Sequence, residues 1–301
     1  MYKKIVRKIK NNLKIYRNDI ETKGLYWSII HRIYKFPTLK KIISPLVDYL
    51  KPDFLVIDGH KLYIDKKDTA VSQELLLSGT WEEFETNLFK KNIKHNDIVI
   101  DIGAHIGYYT LIAARLVGKK GRVYAFEPNP DTFQILKKNV KENDYKNVVL
   151  VNKAISDKDT EAKLFLNKSN TGDHRLYDSR DNRKFIDVST ISLDSYFKDK
   201  DKKIDLIKMD IQGSEVKAFK GGLKTIRKNK YIKIITEVWP MGINLSGNTI
   251  NQYVDMLTNE NFKFYEIDEK EKKLKDIDLL GIFNKTQHEK DYYTNLLCIK
   301  S

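Results

Sequence analysis

The run Asp97-Ile-Val-Ile-Asp101-Ile-Gly103-Ala104-His105-Ile-Gly107-Tyr108-Tyr109-Thr110 carries most of the architectural information in the chain. A hydrophobic strand runs into Asp101, two glycines four positions apart follow, and the apolar rhythm then becomes helical. Gly103 and Gly107 suit a sharp turn that brings backbone close to a ligand, where a Cβ would collide. Asp101, at the carboxyl end of the strand, offers an acceptor for a cationic amine. A dinucleotide site would place G-x-G-x-x-G here so that pyrophosphate settles on the helix N-terminus. The first position of that fingerprint is instead Asp101, whose carboxylate repels phosphate. The turn therefore favours a ligand with an amine and without phosphate.

Downstream, Val123-Tyr-Ala-Phe-Glu127-Pro128-Asn129-Pro130 ends a second strand with a carboxylate 26 residues after Asp101. An acid in that place can accept both hydroxyls of a ribose, and the flanking prolines fix its turn. Amine and ribose together, without phosphate, describe S-adenosyl-L-methionine. From Asp97 onward strands alternate with helices: Ile98 to Ile102, then 107 to 117; Arg122 to Glu127, then 131 to 143; Val148 to Ile155. Such alternation means an α/β fold, a parallel sheet with helices on both faces. Glu161 to Leu166 and Asp187 to Leu193 read as an inserted strand pair around a polar loop. The pattern resumes with Ile204 to Ile211, a helix from Glu215, Tyr231 to Val238, a helix near 249 to 259, Phe262 to Ile267 and Leu296 to Ile299. Upstream, a helix is expected over 81 to 94. Asp58-Gly59 between alternating runs at 53 to 65 predicts a β-hairpin with a type I′ turn.

The remaining 52 N-terminal residues differ in character. Residues 1 to 51 hold 13 Lys and Arg against three acids, a net +10, whereas the other 250 carry 42 basic and 38 acidic groups, a net +4. Ile5, Ile9, Leu13, Tyr16 and Ile20 recur at helical spacing with lysines between them. We read residues 1–52 as a basic amphipathic helical extension and 53–301 as the globular domain. Lysines with interfacial Trp27 and Tyr26 suit peripheral contact with an anionic membrane through residues 1–50. The alternative is a helical layer packed on the domain.

Composition excludes several classes. In 301 residues, 41% hydrophobic and 32% charged with 14 Gly and 6 Pro, collagen and wholesale disorder are poor readings. The longest apolar run is about four residues, far short of a bilayer span or signal core. One cysteine, Cys298, cannot form an internal disulfide, so a cytoplasmic location is expected, peripheral to the inner membrane face if the extension binds lipid. No Cys/His cluster has zinc spacing, and no metal is inferred.

With these residues in place the chain resembles a class I S-adenosylmethionine-dependent methyltransferase and, more narrowly, the FkbM family. The resemblance covers roughly residues 80–240. Its elements are Trp81-Glu82; Asp101 to Thr110; Phe126-Glu-Pro-Asn-Pro130; Asn152-Lys-Ala-Ile-Ser-Asp157; Ser192-Leu-Asp194; Asp205-Leu-Ile-Lys-Met-Asp210-Ile-Gln-Gly-Ser-Glu215; and Glu237. It implies a Rossmann-like sheet of seven strands whose last strand is antiparallel. It also implies O-methylation of a saccharide, glycan or related small-molecule hydroxyl, with a lipid-linked acceptor suggested by the basic helix. Asp101, Gly103, Ala104, Gly107 and Tyr108 would surround the methionine moiety, and Glu127, with Pro128 and Asn129, the ribose. Ala154 and Ile155 would flank adenine, Glu82 would close the site, and Asp210 would lie near the transferred methyl. His105 and Gln212 stand where the family often has Asn and Glu, which leaves any catalytic duty at those two positions open.

A sugar hydroxyl must lose its proton, and a positioned base typically adds about 10²–10⁴-fold. Candidate bases are Asp210, favoured by position, Glu237, Glu215 and His174 in the polar loop Asn170-Thr-Gly-Asp-His-Arg-Leu-Tyr177. The bland alternatives are a helix N-terminal acid for Glu215 and a solvated loop side chain for His174. Two other functions compete. An RNA methyltransferase fits the pI of about 9.4, but Asp210-Ile-Gln-Gly lacks the Asn/Asp-Pro-Pro-Tyr motif that stacks a flipped base, so a nucleic-acid partner is not expected. A non-catalytic membrane-surface or polyanion binder need not keep Asp101, Gly103, Gly107 and Glu127. A dehydrogenase is disfavoured by the missing phosphate turn.

Overall fold

The computed structural model of the protein describes residues 51–200, 202–277, 281 and 292–300. The expected N-terminal helix, residues 1–50, lies outside them. The chain enters through a hairpin, β1 (Phe54–Ile57) and β2 (His60–Tyr63). Its turn places Asp58 at φ 50° and Gly59 at φ 76°, as a type I′ turn requires. Helices α1 (Val71–Ser78) and α2 (Glu83–Lys91) follow. The alternating unit then begins with β3 (Ile98–Ile102), α3 (Tyr108–Val117), β4 (Arg122–Phe126), α4 (Pro130–Glu142) and β5 (Val148–Val151).

The single strand expected over Val148 to Ile155 is divided. Beyond β5 the chain leaves the main sheet, and β6 (Ala154–Ile155) joins β7 (Glu161–Leu166) and β8 (Lys184–Ile191) in a separate three-stranded sheet of order β6-β8-β7. Asn152 marks the break, its side-chain amide donating to the carbonyls of Glu127 and Pro128 at 2.8 and 3.0 Å. Continuing, α5 (Leu193–Tyr196), β9 (Leu206–Met209), α6 (Glu215–Lys220), α7 (Leu223–Lys228) and β10 (Lys233–Val238) complete the parallel part. Then come α8 (Pro240–Leu245), α9 (Ile250–Asn259), β11 (Phe262–Asp268), β12 (Lys273–Asp276) and β13 (Thr294–Lys300).

The main sheet has the order β12-β11-β13-β10-β9-β3-β4-β5. Strands β10, β9, β3, β4 and β5 are mutually parallel, and β13 lies antiparallel between β10 and β11. This is the expected seven-strand class I methyltransferase pattern with one correction: an eighth strand, β12, pairs antiparallel on the outer edge of β11. Its Lys-Leu-Lys-Asp sequence is largely exposed, so it shows no buried alternation to read, as is usual for a charged edge strand.

Along each central strand successive side chains enter opposite cores, as the period of two dictates. Val99, Val123, Leu206, Ile235 and Leu297 pack under the hairpin and α1 to α4. Ile100, Tyr124, Ile207, Ile234 and Cys298 pack under the other layer. The hairpin belongs to the first core through Leu55, Ile57, Leu62 and Ile64. Asp101 and Lys208 are cross-strand partners on that first face, so two ionisable groups occupy positions the period assigns to apolar ones.

Candidate functional site

The carboxyl ends of β3, β4 and β9 open into a cleft with two lobes that share Gly103, His105, Gly172, Asp210 and Gln212. One lobe is an apolar slot of Ile102, Phe126, Ile155, Leu164 and Leu176, with Glu127 and Pro128 at its rim. The other runs past Asp101, Ala104, Tyr108, Tyr109 and Lys208 beneath Trp81. Open parallel sheets bind ligands at this place, where chain connections diverge.

The turn after β3 is built by backbone. Gly103, His105 and Gly107 have φ of 83°, 50° and 95°, a conformation His tolerates better than branched residues. The amides of Gly103 and Ala104 both donate to the Phe126 carbonyl at 3.0 Å. What demands the glycines is the protein itself: a Cβ on Gly103 would lie 2.1 Å from the Asp210 carbonyl oxygen, and one on Gly107 2.6 Å from Leu136 Cδ1. Gly103 also lines both lobes, whereas the Cβ direction of Gly107 points at α4.

Asp101 is buried, and its Oδ2 accepts from Thr110 Oγ1 at 2.5 Å. Burial pushes its carboxyl up to about 6, against the Thr110 hydrogen bond and the Lys208 charge. Glu127 receives the His105 amide on Oε2 at 3.0 Å and the Asn129 amide on Oε1 at 2.8 Å. Burial raises it to about 7, with those two amides opposing. Asn129 itself is the N-cap of α4, accepting from the amides of Asp131 and Thr132, so its side chain is spent on the helix. Ala154 and Ile155 lie in the wall of the slot, on β6.

Beside Asp210 sits a charged network in which the sequence pointed to Asp210, Glu237, Glu215 and Glu82 but not to Lys208 or Glu85. Lys208, 1% exposed, lies 3.0 Å from Glu85 Oε1 on α2 and 3.7 Å from Asp210 Oδ2. Its Nζ also stands 5.1 Å from the Tyr109 ring centre, while the Tyr109 hydroxyl donates to Glu85 at 2.9 Å. Burial alone would lower the ammonium, but Glu85, Asp210 and Glu82 hold it well above its ordinary value. Glu82 precedes α2 at φ 41°, and its Oε1 accepts from Asn295 Nδ2 at 3.3 Å. Burial, then the Glu85 charge, raises it well above the usual carboxylate range. Glu237 is raised likewise, by burial and then by Asp210 and Glu215. Gln212 Nε2 donates to both Asp210 Oδ1 and Glu237 Oε2, at 2.9 and 3.2 Å. Glu215 lies behind this group, pushed by burial to about 7, its Oε1 accepting from the Ile211 amide. The sequence signal for the network was a lysine inside an otherwise apolar strand, Leu206-Ile207-Lys208-Met209.

The polar loop crosses the cleft. Thr171 Oγ1 and His105 Nε2 are 2.8 Å apart. Asp68 Oδ1 accepts from the Thr171 amide at 3.2 Å, and the Thr69 amide donates to the Ser169 carbonyl at 2.7 Å. His174 faces the slot, but its Nδ1 accepts from the Asn167 amide at 3.1 Å. The neutral ring therefore carries its proton on Nε2, and burial lowers the imidazole to about 4. His174 thus presents a hydrogen-bond donor to the slot and Asp210, on the wall of both lobes, an acceptor, whereas Glu237 lines neither lobe.

These residues fit S-adenosyl-L-methionine. Two buried acceptor carboxylates lie at adjacent strand ends, and between them opens a slot walled by Ile102, Phe126, Ile155, Leu164 and Leu176. The domain model of the FkbM methyltransferases matches residues 101–264 of the chain. Among curated proteins, the chain is 33% identical over 60 residues to protein-L-isoaspartate O-methyltransferase 1 of Archaeoglobus fulgidus, covering 20% of this chain and 28% of that protein. It is 34% identical over 90 residues to a tRNA(Phe) (4-demethylwyosine(37)-C(7)) aminocarboxypropyltransferase of Methanocaldococcus jannaschii, covering 30% and 35%. The chain thus spans about a third or less of the length of these relatives. A crystal structure of methyltransferase FkbM from Methylobacillus flagellatus aligns with a TM-score of 0.40 and 14% identity, over 75% of this chain and 52% of the other.

Proposed function

The chain belongs to the FkbM methyltransferase family, and from that membership we propose that it moves a methyl group from S-adenosyl-L-methionine to a hydroxyl of a saccharide, glycan or related small molecule. The observation that carries this reading is the pair Asp101 and Glu127, buried acceptors at the ends of adjacent parallel strands on either side of the Gly103 turn. When bound, the cofactor supplies an activated methyl group whose sulfonium departs as a neutral thioether.

The protein's own work is then placement and proton removal. Asp101 would accept the cofactor's ammonium, Glu127 its ribose hydroxyls, and the walls of Phe126, Ala154 and Ile155 would enclose the base. Alignment of this kind is worth up to about 7–11 kcal/mol in well-oriented reactions. A carboxylate of the Asp210 and Glu237 pair would take the proton that the acceptor hydroxyl must lose. Of that pair Asp210 lines both lobes, and Glu237, raised by burial, is tied to it through Gln212. The loop from Asn170 to Tyr177 closes over the site and excludes water.

The net +10 of residues 1 to 51 supports a second part of the reading, peripheral contact with an anionic membrane and hence a lipid-linked acceptor. Deleting residues 1–50 should reduce sedimentation with anionic vesicles; unchanged partitioning would remove that part alone. The reaction is tested by incubating the protein with methyl-labelled S-adenosyl-L-methionine and fractionated cell extract, then identifying the labelled product by mass spectrometry. Label in a saccharide fraction is expected. Label confined to RNA or protein would contradict the acceptor class.

A further inference from the structure

Gln212 stands at the tip of the turn between β9 and α6 with a left-handed backbone, φ 54°. Its carbonyl accepts from the Tyr177 hydroxyl at 2.9 Å. The next residue, Gly213, packs so closely on Gly242 that a Cβ would meet its backbone at 2.5 Å. The turn is therefore clamped on both sides, and its side chain emerges in a fixed direction. There a single nitrogen, Nε2, donates to Asp210 Oδ1 at 2.9 Å and to Glu237 Oε2 at 3.2 Å. An amide nitrogen carries two hydrogens and can serve both acceptors at once. A carboxylate in its place would offer none and would add another like charge.

The pair is faced by charged and titratable groups from each neighbouring element. Lys208 on β9 lies 3.7 Å from Asp210. Glu215 on α6, and Glu82 ahead of α2, bring further negative charge to Glu237. Tyr177 and Arg175 come from the crossing loop, and His105 and Asp101 from the β3 turn. Arg175 is engaged by Asp173 at 2.7 Å and stacks on Trp239. Lys208 is shared with Glu85. Within this excess of carboxylates, hydrogen-bond donors decide which oxygens stay close.

We propose that Gln212 is a positioning residue for proton removal: its side-chain amide ties the carboxylates of Asp210 and Glu237 into one unit and sets how that unit takes up a proton. The proposal rests on reading this end of the cleft as the acceptor's. Its test does not depend on the acceptor. Full-length protein labelled with ¹³C at the Asp and Glu carboxyls is titrated without ligand, the Glu237 signal being assigned by its loss in Glu237→Gln. Gln212→Met and Gln212→Glu are compared with the native chain. Both replacements are unbranched and close to Gln in length, so neither adds backbone strain at φ 54°.

The Glu237 midpoint should move upward by about one unit in Gln212→Met and by more in Gln212→Glu, where a third acid joins the coupled titration. Amide spectra away from the turn and the midpoint of urea unfolding should stay close to native in Gln212→Met, which separates the effect from misfolding. A Glu237 midpoint that is unchanged in both variants would overturn the proposal. Failure of native protein to bind S-adenosylhomocysteine would instead overturn the cofactor reading, and the carboxyl titration would still report on Gln212.

Discussion

Gly103 and Gly79 share a left-handed backbone, φ 83° and 76°, but differ in surroundings. A Cβ on Gly79 meets nothing within 4 Å, whereas one on Gly103 meets the Asp210 carbonyl at 2.1 Å. Both Ala variants carry the strain of a positive φ, about 1 kcal/mol or more. Only Gly103→Ala must also push the end of β9 away, adding about 1–3 kcal/mol of overpacking. Urea denaturation should therefore show Gly103→Ala clearly less stable than Gly79→Ala, and equal losses would contradict the close approach. The sequence made the need for glycine at 103 legible, but located the collision at the ligand. Only the fold reveals that the end of β9 is what a side chain would strike. Similarly, Asn129 in Glu-Pro-Asn-Pro was expected at the ribose, but capping α4 consumes its side chain.

At the scale of elements, Lys208 joins β9 to α2 through Glu85, with both side chains almost wholly buried. A buried pair adds little over a well-packed apolar substitute, yet breaking it leaves an uncompensated charge at a cost of about 3–5 kcal/mol. Lys208→Met should lose about that much in denaturant titration, and the double variant Lys208→Met, Glu85→Met should recover most of it. If the double variant is no better than the single one, the two are not a closed pair. The strands carrying Asp101, Glu127 and Asp210 were legible because apolar runs ending in an acid and a turn leave a strong local pattern. Glu85 was not, because nothing in Glu-Phe-Glu-Thr-Asn-Leu-Phe-Lys-Lys says which glutamate the tertiary packing will bury. Strand β12 escaped for a related reason: an exposed edge imposes no alternation on its residues.

For the molecule as a whole, buried titratable groups pull stability in opposite directions. Burial raises Asp101 to about 6 and Glu127 and Glu215 to about 7. Their native forms hold protons that the unfolded chain releases above its ordinary carboxylate range, so stability falls as pH rises towards 7. Burial lowers His60 and His174 to about 4. The unfolded chain protonates these below about 6.5, so their contribution rises with pH and is complete above that value. The two effects oppose each other up to about pH 6.5, and above it only the carboxylates act. The midpoint of thermal unfolding should therefore decline from about pH 6.5 to 8 in the free protein, and S-adenosylhomocysteine should reduce the decline. A midpoint that keeps rising over this window would mean that the cleft's carboxylates are not held as described.

If Asp101 and Glu127 together grip a sulfonium nucleoside, as proposed, calorimetric titration of S-adenosylhomocysteine into the full chain will register it. Binding to one site is expected, tightening as pH rises through 6 to 7 while both acids ionise. Asp101→Asn or Glu127→Gln should each weaken it by about 1.5–3 kcal/mol, ten- to a hundredfold. No heat of binding in the native protein, or native affinity in both variants, would contradict the account.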